Sequence, residues 1–291
     1  MRAMPIAVMI ATCCAFSGAQ HAAANPAACG AFLPVETGKV WYFEPTLSVI
    51  TVTPVAGQIT PRQPKDIAIK VTDVQTTATG GARVTLEETF DKVIVPTTVT
   101  CEKAGIVVDP KSFLFSGEPG GAFGIELADV VRPGVTLQTT GAGARAKFAA
   151  EWSDDLKATY RRPAHVKGSD LGSGALELTR RWISEGDEKL IIVDTTYDTT
   201  KLALDTTGKV IAKGSEKPFD MRQAISTLWF SRGHGLVKVQ NSYGHAYQRR
   251  LTPPTPADKL YNEGLARLQN GDSEGASKKF EDIDKTAPFS P

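Results

Sequence analysis

Residues 227–251, TLWFSRGHGLVKVQNSYGHAYQRRL, decide the fold class. Val237 and Val239 alternate with Lys238 and Gln240, the two-residue period of a half-buried strand. Asn241, Ser242, Tyr243 and Gly244 carry turn chemistry, so His245 to Leu251 reads as a return strand. The spacing predicts a β-hairpin that closes a β-domain. Directly after it, Thr252-Pro253-Pro254-Thr255-Pro256 reads as a stiff, extended linker, and from Ala257 the apolar period becomes helical.

Upstream, the same β pattern recurs. Ile67, Ile69 and Val71 alternate with Ala68, Lys70 and Thr72, Gly80-Gly81 marks a hairpin turn, and Val84 to Thr89 alternates again. Val40 to Phe43, Leu47 to Thr53 and Gly105 to Asp109 read as strands. Val93 to Cys101 reads as an edge or bulged strand, because Pro96 cannot donate to a ladder. Residues 110–134 read as a glycine-rich loop with a short helix or strand over Ile125 to Val131. Ala142 to Trp152 and Leu156 to Arg162 are predicted as two strands joined at Ser153-Asp154-Asp155. Leu176 to Ile183 and Leu190 to Tyr197 flank a predicted turn at Ser184-Glu185-Gly186-Asp187, and Lys201 to Asp205 and Lys209 to Lys213 flank another at Thr206-Thr207-Gly208. The fold expected over residues 25–251 is mainly β, an antiparallel curved sheet or sandwich, followed by a C-terminal helical hairpin over 257–291.

The chain has 291 residues, of which 41% are hydrophobic and 22% charged, a composition that folds. Its first 24 residues read as a secretory signal peptide: Arg2, an apolar stretch from Ile6 to Phe16, and a small-residue cleavage pattern at Ala22-Ala23-Ala24. Cleavage after Ser17-Gly18-Ala19 is a second option, and a lipid anchor at Cys13 a third, although Thr12 suits a lipobox poorly. The expected location is therefore periplasmic or secreted. Cleavage after Ala24 removes Arg2 from the 33 basic residues and leaves them equal to the 32 acidic ones. That balance, with Arg161-Arg162, Arg180-Arg181 and Arg249-Arg250 scattered over different strands, argues against nucleic acid as a partner. The two cysteines left, Cys29 and Cys101, are expected to pair in an oxidising compartment, closing a loop worth about 4 kcal/mol.

Chemistry is harder to find. No nucleophile elbow, zinc-protease, paired-cysteine or phosphate-loop pattern occurs. Of His165, His234 and His245, the last two fall at opposite ends of the predicted hairpin, roughly 20 Å apart at the rise of a strand, which opposes a shared metal. Glu87-Glu88 and Asp154-Asp155 are sequence neighbours, which in a strand would point to opposite faces and make poor acid–base pairs. Trp41, Trp152, Trp182 and Trp229 read as core or sheet-face side chains. No cofactor is expected.

In the tail, Leu260, Leu265 and Leu268 fall near one helical face, Asn270-Gly271-Asp272 stops that helix, and Ala276, Phe280 and Ile283 give the next its apolar face. With Tyr261, Asn262, Gly264 and the closing Pro288, this segment resembles a single tetratricopeptide repeat. It departs from that family in having one unit and in carrying Glu263 where Leu is usual. The resemblance implies that Gly264 and Ala276 let two helices approach, and that Leu260, Tyr261, Leu265 and Leu268 serve a protein partner. More loosely, Leu33-Pro34, Gly38, Trp41, Pro133-Gly134, Trp229-Phe230 and the run Gly233 to Lys238 resemble exported bacterial β-rich proteins, including curved-sheet lipoprotein carriers. Two functions follow as expectations: a non-enzymatic binding or scaffold protein acting through its tail, and a carrier of an apolar ligand such as a lipid on the concave sheet face. The partner, the ligand and the oligomeric state stay open.

Overall fold

The computed structural model describes residues 27–47, 63–103, 105–118, 126–132, 136–140, 146–161, 172–269 and 271–286. The expected signal peptide, most of the Leu47 to Thr53 strand, Pro133-Gly134, His165, Asn270 and Pro288 lie outside the described residues.

Among the described residues, a short helix α1 (Ala27–Phe32) precedes the strands β1 (Val40–Thr46), β2 (Ile67–Thr76), β3 (Ala82–Phe90), β4 (Val93–Glu102) and β5 (Gly105–Val108). One helical turn, α2 (Phe113–Ser116), leads to β6 (Glu126–Arg132), then to the small strands β7 (Thr139–Thr140) and β8 (Lys147–Phe148). Longer strands follow: β9 (Glu151–Arg161), β10 (Ser173–Ile192), β11 (Thr195–Ala212) and β12 (Phe219–Ser231). The chain ends in β13 (Gly235–Gln240), β14 (Ala246–Arg250) and two helices, α3 (Pro256–Gln269) and α4 (Ser273–Thr286). Among the described residues, all the larger strands join one 12-stranded sheet in the order β5-β4-β3-β2-β1-β14-β13-β12-β11-β10-β9-β6. Every pairing is antiparallel. The choice between sandwich and curved sheet thus falls to one sheet.

Alternation explains which way each strand faces. Along β3, Ala82, Val84, Leu86, Glu88 and Phe90 are all buried while Arg83 and Glu87 are exposed. The core on this face is filled by the chain's own side chains. Trp41, Phe90, Phe113, Trp182 and Phe230 are among the largest fully buried groups. Phe32 of α1 stacks on Phe148 at 4.0 Å, and Trp152 stacks on Trp182 at 5.6 Å. The disulfide Cys29–Cys101 ties α1 to β4 across 72 residues.

The hairpin at the end of the sheet is present: Val239 faces Tyr247 and Gln240 faces Ala246. Its alternation is broken, however. The register between β12 and β13 shifts at Trp229/Phe230. Val239 therefore joins the main core, while Val237 joins a small cluster with Ile192, Tyr197 and Trp229. Behind it, Gly117 closes α2 with φ 72, and a Cβ there would lie 2.0 Å from Val239 Cγ2. Only glycine satisfies both the left-handed backbone and that contact.

Three expected turns are continuous strand. β9 runs through Ser153-Asp154-Asp155, because Asp154 turns inward to Arg180 while its neighbours face out. β10 runs through Ser184 to Asp187 with a bulge between Ser184 and Gly186, and the turn falls later, at Val193-Asp194. β11 runs through Thr206 to Gly208, where only its register with β12 shifts. At Gly186 and Gly208 the glycine signals mark irregularities of register in a long ladder, whereas at Asp154 the ladder with β10 is unbroken. The segment expected as helix or strand over Ile125 to Val131 forms strand β6. Pro96 is accommodated opposite Glu87, beyond the Val99 to Glu102 stretch where β5 pairs.

Candidate functional site

The tail is clamped to the sheet by charge. Thr255 N donates to Asp258 Oδ2 at 2.8 Å and Asp258 N donates back to Thr255 Oγ1 at 3.2 Å, a reciprocal cap that starts α3 with Pro256 in its first turn. Arg250 at the end of β14 donates Nη2 to the same Asp258 oxygen and Nη1 to Glu44 Oε2 on β1, both at 2.6 Å. Hydrogen bonds from Arg250 and Thr255 hold the Asp258 carboxyl below its ordinary pKa, against the opposing effect of burial. One turn further along α3, Glu263 takes Lys65 at 2.8 Å and Lys279 of α4 at 2.6 Å, and Asn262 is fully buried with Nδ2 toward Lys65 O at 3.4 Å.

The two tail helices touch where the small residues allow it. A Cβ on Gly264 would meet the Phe280 ring at 2.3 Å, and Ala276 is buried. The four residues expected to meet a partner separate in this arrangement. Leu265 is 6% exposed and so is buried rather than open to solvent. Leu260 is half-buried. Tyr261 and Leu268 are 49% and 46% exposed, and their seven-residue spacing puts them on one side of α3. Tyr261 leans on Phe280 at 5.8 Å between ring centres, so the exposed strip includes both helices.

A second concave feature lies where the sheet curls back on itself. A cavity of about 570 Å³ is lined by β6, β9, β10 and the end of β11, with Asp129, Arg161 and Lys213 as its charged side chains. A neighbouring cavity of about 370 Å³ is lined by Thr98, Thr100 and residues 107–111 on one bank and residues 127–130 on the other. The two adjoin at Ala128 and Asp129 of β6, the larger reaching over β9 to β11 and the smaller toward β4 and β5. β5 and β6 end the strand order at opposite sides, yet residues of both line the smaller, groove-like cavity. Sequence reasoning missed it, because its parts are scattered through the chain.

The expected polar residues fall elsewhere. His234 and His245 stand at opposite ends of β13, His234 edge-on to Tyr197 at 5.2 Å and His245 beside Tyr243 at 6.4 Å. Burial lowers the His245 pKa. Among the described residues no group of three or more His, Cys, Asp or Glu is placed to hold a metal. Glu88, unlike its neighbour Glu87, lies in the core, where burial pushes its pKa up to about 7. It accepts from Thr97 Oγ1 and from Phe113 N, each at 2.7 Å, and from Ser112 Oγ, so it fastens α2 to the sheet. Arg180 is fully buried, donating from Nε to Asp154 Oδ1 at 2.8 Å beneath Phe115 at 3.7 Å. Arg249 donates to the carbonyls of His234 and Leu236, and burial lowers its pKa to about 10. The four tryptophans are all buried, three in the main core and Trp229 in the small cluster.

No protein-family model matches the chain, and no curated protein matches it. Among solved structures it is similar to a Bacteroides fragilis protein described as exported, with a YmcC-like fold. Identity there is 13%, the TM-score is 0.42, and the match covers 76% of this chain and 100% of that one. It is also similar to the hypothetical lipoprotein YmcC of Escherichia coli, at 10% identity and a TM-score of 0.27, over 76% of this chain and 86% of that one. At these scores neither likeness says anything of the site. Among the described residues no helix is long and apolar enough to cross a membrane.

Proposed function

We propose that this is an exported, non-enzymatic binding protein whose β-sheet presents a helical tail to a protein partner. The observation that carries the reading is the outward strip of Tyr261 and Leu268 on a helix fixed in place by Arg250, Glu44 and Asp258. A large aromatic and a leucine left half in water on a rigid platform suit the anchor residues of an interface. Export is supported by the leader pattern in the first 24 residues. The reading of an apolar carrier has less support, since the core face is filled by aromatic side chains such as Phe90, Phe113 and Phe230.

The test is co-purification from the cell envelope under native conditions. Tyr261→Ser combined with Leu268→Ser should lose the partner while the thermal midpoint stays within a few degrees of the parent. A partner retained by this variant at full yield would end the tail reading.

A further inference from the structure

We propose that Arg249, with His234 and Tyr197 beside it, forms a binding site for a small organic carboxylate. Arg249 lies on β14 opposite Phe43 of β1. Its guanidinium stands 5.7 Å from the Trp41 ring centre and 5.8 Å from that of Phe43, two rings of the core. The arginine itself is half-buried, so part of it still meets solvent. Its neighbour Arg250 points to the other face of the strand, where it holds the tail, so this site is separate from the tail strip.

What marks this arginine is the lack of an opposite charge. Arg180 has Asp154, and Arg250 has Glu44 and Asp258. Arg249 instead donates Nη1 to two neutral acceptors, the carbonyls of His234 at 3.0 Å and Leu236 at 3.3 Å. Its Nε is shut off from water and has no acceptor. Among the described residues, the one ionisable neighbour that bears on its charge is a phenol, that of Tyr197. A cation taken out of water is costly unless an opposite charge and further hydrogen bonds stand beside it. An anion seated on the Nε side supplies both.

The surroundings select the anion. With Nη1 taken, the Nε and Nη2 side remains, a flat fork that matches the two oxygens of a carboxylate. One uncompensated positive charge balances one negative charge, whereas a phosphate group carries nearly two. The other cations of this region are engaged: Arg232 with Ala146 O and the Phe32 ring, and Lys238 over the Trp229 ring. His234 is exposed in the turn after β12, edge-on to Tyr197 at 5.2 Å, and gives the site a polar rim. That turn is fixed in place, because Gly233 N donates to Ala31 O at 2.8 Å on α1, the helix that the disulfide ties to β4. The site is thus held by its supports before a ligand arrives.

The test uses the full exported chain, with benzoate and inorganic phosphate as probes at constant ionic strength. Phenylglyoxal, a reagent for arginine, should label Arg249, and peptide mass spectrometry reads that label against the exposed Arg83. With a Kd of about 1 mM, benzoate at about 10 mM should slow labelling of Arg249 about tenfold and leave Arg83 unchanged. Phosphate should slow it less than twofold. Arg249→Lys keeps the charge without the fork, and should abolish the rise in thermal midpoint that benzoate gives the parent chain. Should that variant not fold, protection of the parent decides alone. His234→Ala should weaken the protection by benzoate about threefold. The proposal is overturned if Arg249 resists labelling in the free protein, since a ligand could not reach it either. Absence of protection by benzoate would overturn it too, as would equal protection by phosphate, which would mark an unselective anion pocket. The tail variant Tyr261→Ser with Leu268→Ser should leave the protection unchanged, so the two readings fail separately.

Discussion

Arg250 and Asp258 lie eight residues apart and meet at 2.6 Å, one closing the last strand and the other capping the first tail helix. The same guanidinium holds Glu44 on β1, and Arg250 and Glu44 are 14% and 13% exposed. One side chain therefore joins the first strand, the last strand and the tail. Replacing Arg250 by Met keeps the stem and removes the charge. We expect a loss of about 2 kcal/mol, less than for a fully buried pair, because water still reaches part of the site. Faster proteolysis of the Thr252 to Thr255 linker should accompany it, and unchanged cleavage there would count against the clamp.

Asp154 and Arg180 make a stricter case, since Arg180 is fully buried. Burial opposes the charge on both partners, raising the pKa of Asp154 and lowering that of Arg180. Asp154→Ala takes the carboxylate away from a buried guanidinium beneath Phe115 and should cost about 3–5 kcal/mol in urea unfolding. Combining Asp154→Leu with Arg180→Met should recover most of that loss, since two apolar groups of similar size replace both charges. A double variant as weak as the single one would contradict this.

Glu88 gives the sheet a pH dependence. Its folded pKa of about 7 stands above the ordinary 4.5 because burial disfavours the carboxylate. The protonated form is thus the one that folding favours. Its contribution is complete below about pH 4.5 and is lost as pH rises to about 7, a change of about 3 kcal/mol at 1.36 kcal/mol per unit. Glu88→Gln should flatten this part of the stability profile, and urea midpoints measured across the window for both proteins would reveal it. Identical slopes would remove Glu88 from the explanation.

Gly264 is set by the Phe280 ring at 2.3 Å from the place its Cβ would occupy. Alanine there gains about 1 kcal/mol of helix propensity but overpacks the helix pair by about 1–3 kcal/mol. We expect a net loss, read as a lower melting point of the tail helices by far-ultraviolet circular dichroism. A rise in that melting point would mean that Phe280 swings aside freely.

Legibility in the sequence followed the physics of each signal. The run Val84, Leu86, Glu88 showed its period plainly, and so did the change to helical spacing after Pro256. Gly186 and Gly208 were misleading because a glycine in a β context serves a turn and a bulge alike. Asp154 was misleading because a carboxylate inside a strand looks like a loop residue until Arg180 is seen beneath it. Within the tail, Tyr261 and Leu268 were legible as apolar, but Leu265 needed the folded chain to show that it is buried. The cavities beside β6 left no local trace: Thr98, Asp109, Asp129, Arg161 and Lys213 come from segments that only the curl of the sheet brings together.

The pairing of β1 with β14 has a consequence for how the molecule is made. Glu44 and Gln248, neighbours across that ladder, are 204 residues apart in the chain. Strands β1 to β5 emerge first and can form a meander on their own, but the free side of β1 has no mate until Ala246 to Arg250 arrive. Such distant pairing is slow, and an open edge meanwhile invites the wrong strand. The nascent chain thus spends nearly its whole synthesis in an adhesive form, and its final strand ends that exposure.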